Sequence, residues 1–446
     1  MNAFASTIFC RAAAAMVALA LSAAPAPATT IEHVVSPGGV EAWLVREHAV
    51  PLIAVDVAFA GGAVQDPAGR SGAANLAASL LDEGAGDLDS KAFQDRLERK
   101  AIELSFRAER DTLRGRMRTL VENRDEAFDL LRLSLTAPRF DAADIELNRA
   151  QILSTLRRQT TSPGDIASRR WWETAFEGHP YGRPVDGTLE SVPSITIDDL
   201  KTYTHRVLAR QNLKIAVVGD IDADTLKPLL DRVFGALPEK SDLAPVDNVT
   251  PQGLGRRIVV NLDVPQAVVD FGGPGIARKD PDFMAAYIVN HILGGGTFSS
   301  RLYQEVREKR GLAYSVSDSL VWLDHAALFI GGTATRADRT GEALDVIGKE
   351  IHRLAESGPT AAELTQAKNY LNSSFALNLD TSSKIAALLV QFQLDDLGID
   401  YIAKRPALIG AVTLDDARRV AKRLLDGGLL VTVVGKPEGV ASTTPN

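Results

Sequence analysis

The sequence predicts an α+β protein of two duplicated units. Each is a mixed, largely antiparallel sheet with helices on one face. Three internal matches predict it. Glu146-Leu147 and Ala150 recur 217 residues later as Glu363-Leu364 and Ala367, and TIDD (196–199) recurs at the same spacing as TLDD (413–416). Each TxDD opens a helix whose free amides are capped by Thr and Asp. Each helix leads into an apolar strand ending in VVG, within KIAVVGD (214–220) and LLVTVVGK (429–436). The third match sets SKAFQDRLERKAIELSF (90–106) against SRLYQEVREKRGLAYSV (300–316) at a spacing of 210, and a loop insertion absorbs the difference of seven.

Taken in order, the chain opens with a leader. Arg11 supplies a basic region, residues 12–24 an apolar one, and Ala26-Pro27-Ala28 an A-x-A cleavage site, so residues 1–28 read as a signal peptide. Thirteen apolar residues are too few to cross a bilayer, which needs about 20. The protein is therefore expected in a bacterial-type periplasm or outside the cell. The single cysteine, Cys10, lies before the apolar run, which argues against a lipoprotein. Its removal with the leader excludes disulfides, thiol catalysis and thiolate metal sites.

The remaining chain, about 415 residues, is long for one core and natural for two. The first domain spans 30–237 and carries the strand LIAVDVAFAGG; the second spans 256–437 and carries ALFIGGTATR. A Pro-, Gly- and polar-rich stretch separates them as a linker (238–255), and residues 438–446 form a tail. Alternating strands predict antiparallel pairing. Gly294-Gly295-Gly296 follows the helical pattern FMAAYIVNHIL, not a strand, which rules out a glycine-rich nucleotide turn. Without Arg11 the net charge of −8 becomes −9, and no basic run appears, so nucleic acid is excluded as a partner. No later stretch of 18 apolar residues occurs, so no membrane anchor is expected once the leader is gone.

GGGTFSSRLYQEVREKRGLAYSV (294–316) and AFEGHPYGRPVDGTLESV (175–192) resemble the pitrilysin/insulinase family of inverted-motif zinc peptidases, including the paired subunits of the mitochondrial processing peptidase. The likeness covers about 30–437. It implies two α/β-roll domains facing one another across a chamber, in a chain that forms half of a clamshell and pairs with a second. The family's H-x-x-E-H holds zinc with two His and activates water with Glu. Within GAANLAASLLDEGAG (72–86) those three slots carry Asn75, Ala78 and Ser79, and the family's third ligand falls on Thr155. None can bind zinc strongly or act as a general base. His33, His48, His179, His205, His291, His325 and His352 offer no replacement, since no two stand at i,i+4. No metal is therefore expected in this chain.

The resemblance assigns Arg307 and Tyr314 to substrate binding and polarisation of the scissile carbonyl, since both donate hydrogen bonds to a developing oxyanion. A scaffold role stands beside it. Arg307, Lys309 and Arg310 suit a helix C-terminus with Gly311 as its left-handed cap, and Tyr314 can fill a strand position. The slots matched in the first half, Leu97 and Leu104, are apolar, so the scaffold alone does not demand Arg and Tyr. The family assigns Gly294, Gly295, Gly296, Thr297 and Phe298 to a substrate-recognition loop; a flexible helix end is the alternative. Trp171 and Trp172 read as core and helix surface.

The reading that follows is a catalytically incompetent, substrate-binding subunit of a heteromeric zinc peptidase. A homologous H-x-x-E-H subunit would supply the zinc, and extended peptides would be the substrate. The alternative is a non-enzymatic scaffold or peptide-binding envelope protein. No G-x-S-x-G elbow or Ser-His-acid grouping supports another nucleophile.

Overall fold

The computed structural model describes residues 30–443; the signal peptide read at 1–28 lies outside the described residues. Both TxDD segments start helices by the expected means. Thr196 Oγ1 accepts from the Asp199 amide while the Asp199 carboxylate accepts from the Thr196 amide, and Thr413 and Asp416 repeat the box.

The first sheet comprises β1 (Glu32–Val35), β2 (Glu41–Arg46), β3 (Leu52–Ala60), β4 (Glu103–Ala108), β5 (Thr112–Leu120) and β6 (Leu213–Gly219), in the order β1-β2-β6-β3-β5-β4. The second comprises β7 (Arg257–Asn261), β8 (Gln266–Pro274), β9 (Ala313–Trp322), β10 (Ala327–Arg336) and β11 (Leu430–Gly435), in the order β7-β11-β8-β10-β9. Apart from the extra edge strand β1, the two orders are the same. Each sheet has one parallel pair, β2 with β6 and β7 with β11, and is otherwise antiparallel. The duplication is thus a duplication of topology.

On one face each sheet carries helices of its own half. In the first half these are α1 (Ala73–Ala78), α2 (Ser90–Arg99), α3 (Arg124–Thr136), α4 (Ala142–Gln159), then, after α5 (Pro163–Ala175), α6 (Ile197–Val207) and α7 (Ala223–Phe234). In the second they are α8 (Phe283–Asn290), α9 (Thr340–Ser357), α10 (Ala361–Ser373), then, after α11 (Ser382–Leu394), α12 (Tyr401–Ala411) and α13 (Leu414–Leu425).

The opposite faces are closed by exchange. Helix α11 of the second half lies across β3 and β6, and α5 of the first half lies across β8 and β11. Strand parity explains how one strand serves two cores. Ile215 and Val217 of β6 face the first half's helices, whereas Ala216 and Val218 pack with Ala386, Leu389 and Val390 of α11. In the reciprocal contact Trp171 of α5 is fully buried and donates from Nε1 to the Leu430 carbonyl at 3.1 Å, while Thr432 Oγ1 donates to the Ala167 carbonyl at 3.1 Å. Gly272 in β8 makes room, because a Cβ there would lie 2.9 Å from the Trp171 ring.

Further contacts fix the halves. Asp111, in the β4–β5 turn, accepts from Tyr181 Oη at 2.7 Å and from the amide of Asp324, in the β9–β10 turn, at 3.1 Å. The connection read as a linker is pinned along its length. Gln65 exchanges two hydrogen bonds with the Ala244 backbone, the Val249 amide donates to the His325 carbonyl, and the Gln252 amide donates to the Ala175 carbonyl. Among the described residues no helix is long and apolar enough to cross a membrane.

Truncating Trp171 tests the exchange. Trp171→Ala removes a buried ring and a hydrogen bond, and a loss of about 3–5 kcal/mol is expected in denaturant unfolding, with both halves destabilised together.

Burial also sets a pH dependence. It pushes Asp66 and Asp82 up to about 7 and Asp270 to about 6; Asp324 also rises to about 6 through burial, with Asp111 adding repulsion. These groups bind protons in the folded state that the unfolded chain has released above about pH 4, so stability falls as pH rises through that window. In the other direction, Arg419 holds Asp282 down to about 2, and Arg301 with Thr360 holds Glu363 down to about 2 against its burial. Their stabilisation is present above the unfolded value and is lost as pH drops toward about 2. The thermal midpoint is therefore expected to peak near about pH 4 and to fall toward both 8 and 2. A midpoint rising steadily from 5 to 8 would contradict the assignment.

Candidate functional site

Helix α1 carries the slots that correspond to a metal motif. Gly72 precedes it with φ +95° and has no side chain to cap it, so Asp66 does so from a distance in sequence. Its carboxylate accepts from the Gly72 amide at 2.7 Å and the Ala74 amide at 2.8 Å. Asn75 and Ser79 lie one turn apart and half-buried, as ligands would, while Ala78 is buried. Ser79 Oγ is turned back to donate to the Leu76 carbonyl at 3.0 Å. Helix α1 packs beside the edge strand β4 and against α4, which carries Thr155. The Thr155 hydroxyl accepts from Arg158 at 2.9 Å.

The four slots thus present one amide, one methyl and two hydroxyls. They do not fit zinc, which takes thiolate, imidazole or carboxylate donors. Among the described residues, no three His, Cys, Asp or Glu side chains come together to hold a metal ion. No step of amide hydrolysis can be derived through a metal here.

Arg307 and Tyr314 come together in the second half. Arg307 lies on the short π-wound helix Tyr303–Glu308, and Tyr314 stands at the start of β9, an edge strand. The Arg307 guanidinium sits 4.4 Å from the centre of the Tyr314 ring and 4.9 Å from that of Tyr303. Tyr314 is 81% exposed. The three neighbouring cations separate into two roles. Lys309 and Arg310 are both held by the buried Glu305, at 2.5 and 2.6 Å, whereas among the described residues Arg307 has as its acidic neighbour only Glu308, at 3.9 Å. Gly311, with φ +58°, ends the helix as expected. The helix-end reading therefore accounts for Lys309, Arg310 and Gly311. It does not account for Arg307.

The comparison with Leu97 and Leu104 needs correction. Both leucines are buried in the first core, but in the second half Val306 and Ala313, one residue earlier, take the buried positions. Two irregularities produce the offset. The first half's α2 is a regular α-helix, whereas Tyr303–Glu308 is π-wound and accommodates extra chain. In β9 the pairing slips between Thr333↔Val316 and Thr335↔Ala313, leaving Tyr314 and Ser315 in a bulge. The carbonyls freed there are satisfied from β10. Thr333 Oγ1 donates to the Ser315 carbonyl at 2.7 Å, and Thr335 Oγ1 to the Leu312 carbonyl at 2.6 Å. These two departures from the repeat turn Arg307 and Tyr314 outward.

The glycine-rich segment divides as well. Helix α8 continues as a π-wound turn, His291–Gly295, and Thr297–Ser299 forms a 3₁₀ turn. Gly294 is needed for packing, since a Cβ would meet the buried Asp318 carboxylate at 2.7 Å. Gly296 is confined likewise, 2.7 Å from the His291 carbonyl, while Gly295 is exposed. Phe298 faces solvent, with its ring edge-on to Tyr303 at 5.2 Å. Phe298, Tyr303, Arg307 and Tyr314 thus form one continuous ladder. Tyr303 was not singled out in the sequence, although its place four residues before Arg307 puts it on the same helical side.

Residues 44–189 match the model of the insulinase family, peptidase M16, and residues 194–371 match that of the peptidase M16 inactive domain. An uncharacterised zinc protease of Streptomyces coelicolor is 31% identical over 318 residues, covering 69% of this chain and 68% of its own length. The non-peptidase homolog YmxG of Helicobacter pylori is 28% identical over 339 residues, covering 76% and 78%. A solved peptidase M16 inactive domain from Pseudomonas fluorescens superposes with a TM-score of 0.86 at 26% identity, over 93% of this chain and 99% of that one.

The α1 slots make a prediction about metal. After dialysis against micromolar zinc, the purified chain is expected to hold no stoichiometric zinc by atomic emission; one firmly held ion per chain would overturn the assignment.

Proposed function

The chain belongs to the insulinase family, peptidase M16, as a member without the metal-binding and water-activating side chains, and from that premise we propose that it is the substrate-binding subunit of an exported two-chain zinc peptidase. A homologous chain with an intact H-x-x-E-H motif supplies the zinc and the general base. This chain supplies Arg307 and Tyr314, in a periplasmic or secreted complex addressed by the leader at 1–28.

One observation carries the reading: a π-wound helix and a β-bulge that the first half lacks display Tyr314 to solvent with Arg307 half-buried against its ring. Irregularities of this kind re-aim side chains and recur at functional sites. Guanidinium and phenol both donate hydrogen bonds, and a peptide carbonyl held between them gains stabilisation as its oxygen becomes negative. The stack holds the guanidinium in place before substrate arrives, which lowers the ordering cost. An extended peptide can add to the edge of β9, where main-chain hydrogen bonds hold it with little demand on sequence. Phe298, exposed on the same ladder, provides an apolar contact beside that path.

The second reading is a scaffold without catalytic contribution, and the absence of metal ligands is its support. The two readings part in a reconstituted complex. Alone, the chain is expected to cleave nothing; mixed with its metal-bearing partner, it is expected to confer peptidase activity. Arg307→Ala and Tyr314→Phe should each lower turnover by about 10²–10³, the usual scale for one oxyanion donor, with complex formation intact. Unchanged turnover in both variants would leave the scaffold reading.

A further inference from the structure

A cavity of about 730 Å³, part of it open to solvent, shares no residue with the Phe298–Tyr314 ladder. Its walls include Phe283, Tyr287, Trp322, Phe375, Phe392 and Tyr401. It lies where α8, α12 and the exchanged helix α11 meet, and Phe392 and Tyr401 belong also to the cluster that joins α11 to the first sheet.

Two guanidinium groups reach this space, and their situations differ. Arg278 is matched: it lies 3.5 Å from the Asp395 carboxylate, donates to Tyr401 Oη at 2.8 Å and stacks on Phe283 at 4.2 Å. Arg405 is not. It is 6% exposed, its guanidinium lies 4.3 Å from the centre of the Phe375 ring, and one of its donors is used on the Leu371 carbonyl at 2.9 Å. No ion pair joins it to a carboxylate among the described residues. Leu371 stands in the last turn of α10, whose dipole offsets only part of the charge. A buried cation ordinarily has a counter-ion, and a guanidinium has five N–H donors in a fork that matches a carboxylate. Arg405 has donors to spare, a cavity beside it and apolar walls around it.

We propose that this cavity binds an amphipathic monocarboxylate, with its carboxylate on Arg405 and its aromatic or alkyl body among the aromatic walls. The ring faces and the unmatched charge select together: a cation is repelled by Arg405, and a neutral analogue leaves it unpaired. Two sources share this chemistry, a free organic acid and the C-terminal carboxylate of a peptide ending in an apolar residue. Occupancy links α8 and α12 to α11, so the ligand also stabilises the exchange between halves. The site is independent of the proposed peptidase role.

Calorimetric titration of the full chain with 4-phenylbutyrate, its amide, a tetrapeptide ending in Phe and the C-amidated tetrapeptide tests this. Saturable binding is expected for at least one free acid, at least about tenfold tighter than for its amide. Preference for phenylbutyrate identifies a free acid as the source, and preference for the peptide acid identifies a chain terminus. Arg405→Gln is expected to abolish the difference between acid and amide. The comparison on unaltered protein stands even where that variant fails to fold. Equal binding of acid and amide, no saturation up to about 10 mM, or an acid preference retained in Arg405→Gln would overturn the proposal.

Discussion

The exchange of helices is the constraint on which the rest of this structure depends. A sheet that is apolar on both faces needs two covers, and each half supplies only one for itself. The second cover comes from the other half, with α11 on β3 and β6 and α5 on β8 and β11. The small residues Ala216 and Ala58 let α11 approach the first sheet, and Gly272 opens a place for the Trp171 ring on the second. Neither half can therefore bury its central strands alone. The duplicated sequence folds as one interlocked body, and the functional ladder is mounted on it.

Against that rigid background, small departures from the repeat carry chemical meaning. The two halves share strand order, parallel pair and helix caps, so the scaffold is satisfied by the common pattern. A π-wound helix and a bulged strand add nothing the first half needed for folding. They have costs, since each frees backbone groups, and Thr333 and Thr335 are placed to satisfy two of them. Both irregularities move their neighbours by one position, and together they take an interacting pair of donors off the buried side, Tyr314 to solvent and Arg307 to a half-buried place beside it. Glu305 sharpens the contrast by holding Lys309 and Arg310 and leaving Arg307 to its aromatic neighbours.

Much of this was legible in the residues. The TxDD boxes and VVG strands gave two copies of one topology, because capping and strand alternation are local rules that the packing obeys. The empty metal slots were equally legible, since no arrangement turns an amide, a methyl and two hydroxyls into a zinc site. The exchange was not. An amphipathic helix such as α5 shows that it has an apolar side but not which sheet will cover it, and Trp171 read as ordinary core. The offset between Leu97 and Arg307 was hidden as well, because an ungapped match of 90–106 to 300–316 places them together while the π-wound turn and the bulge separate their directions. The stretch 238–255 read as a linker from its Pro and Gly content. Its fixation comes from Gln65, His325 and Ala175, far away in sequence.

The interlocking also bears on how such a chain could take part in peptide cleavage. Hydrolysis needs an activated water on one side of the carbonyl and charge stabilisation at its oxygen, and the two need not reside in one polypeptide. An oxyanion pair is useful only if held steady, and the Arg307–Tyr314 stack rests on β9, whose sheet is closed by a helix from the other half. The same ties remove a hinge within the chain: two exchanged helices, the Asp111–Asp324 contact and the pinned connection all oppose separation of the halves. Under the proposed function, admission of a peptide then falls to the contact between this chain and its metal-bearing partner. That division places movement at a surface between two rigid bodies and keeps the donors fixed, which suits a subunit that positions a bond for another to break.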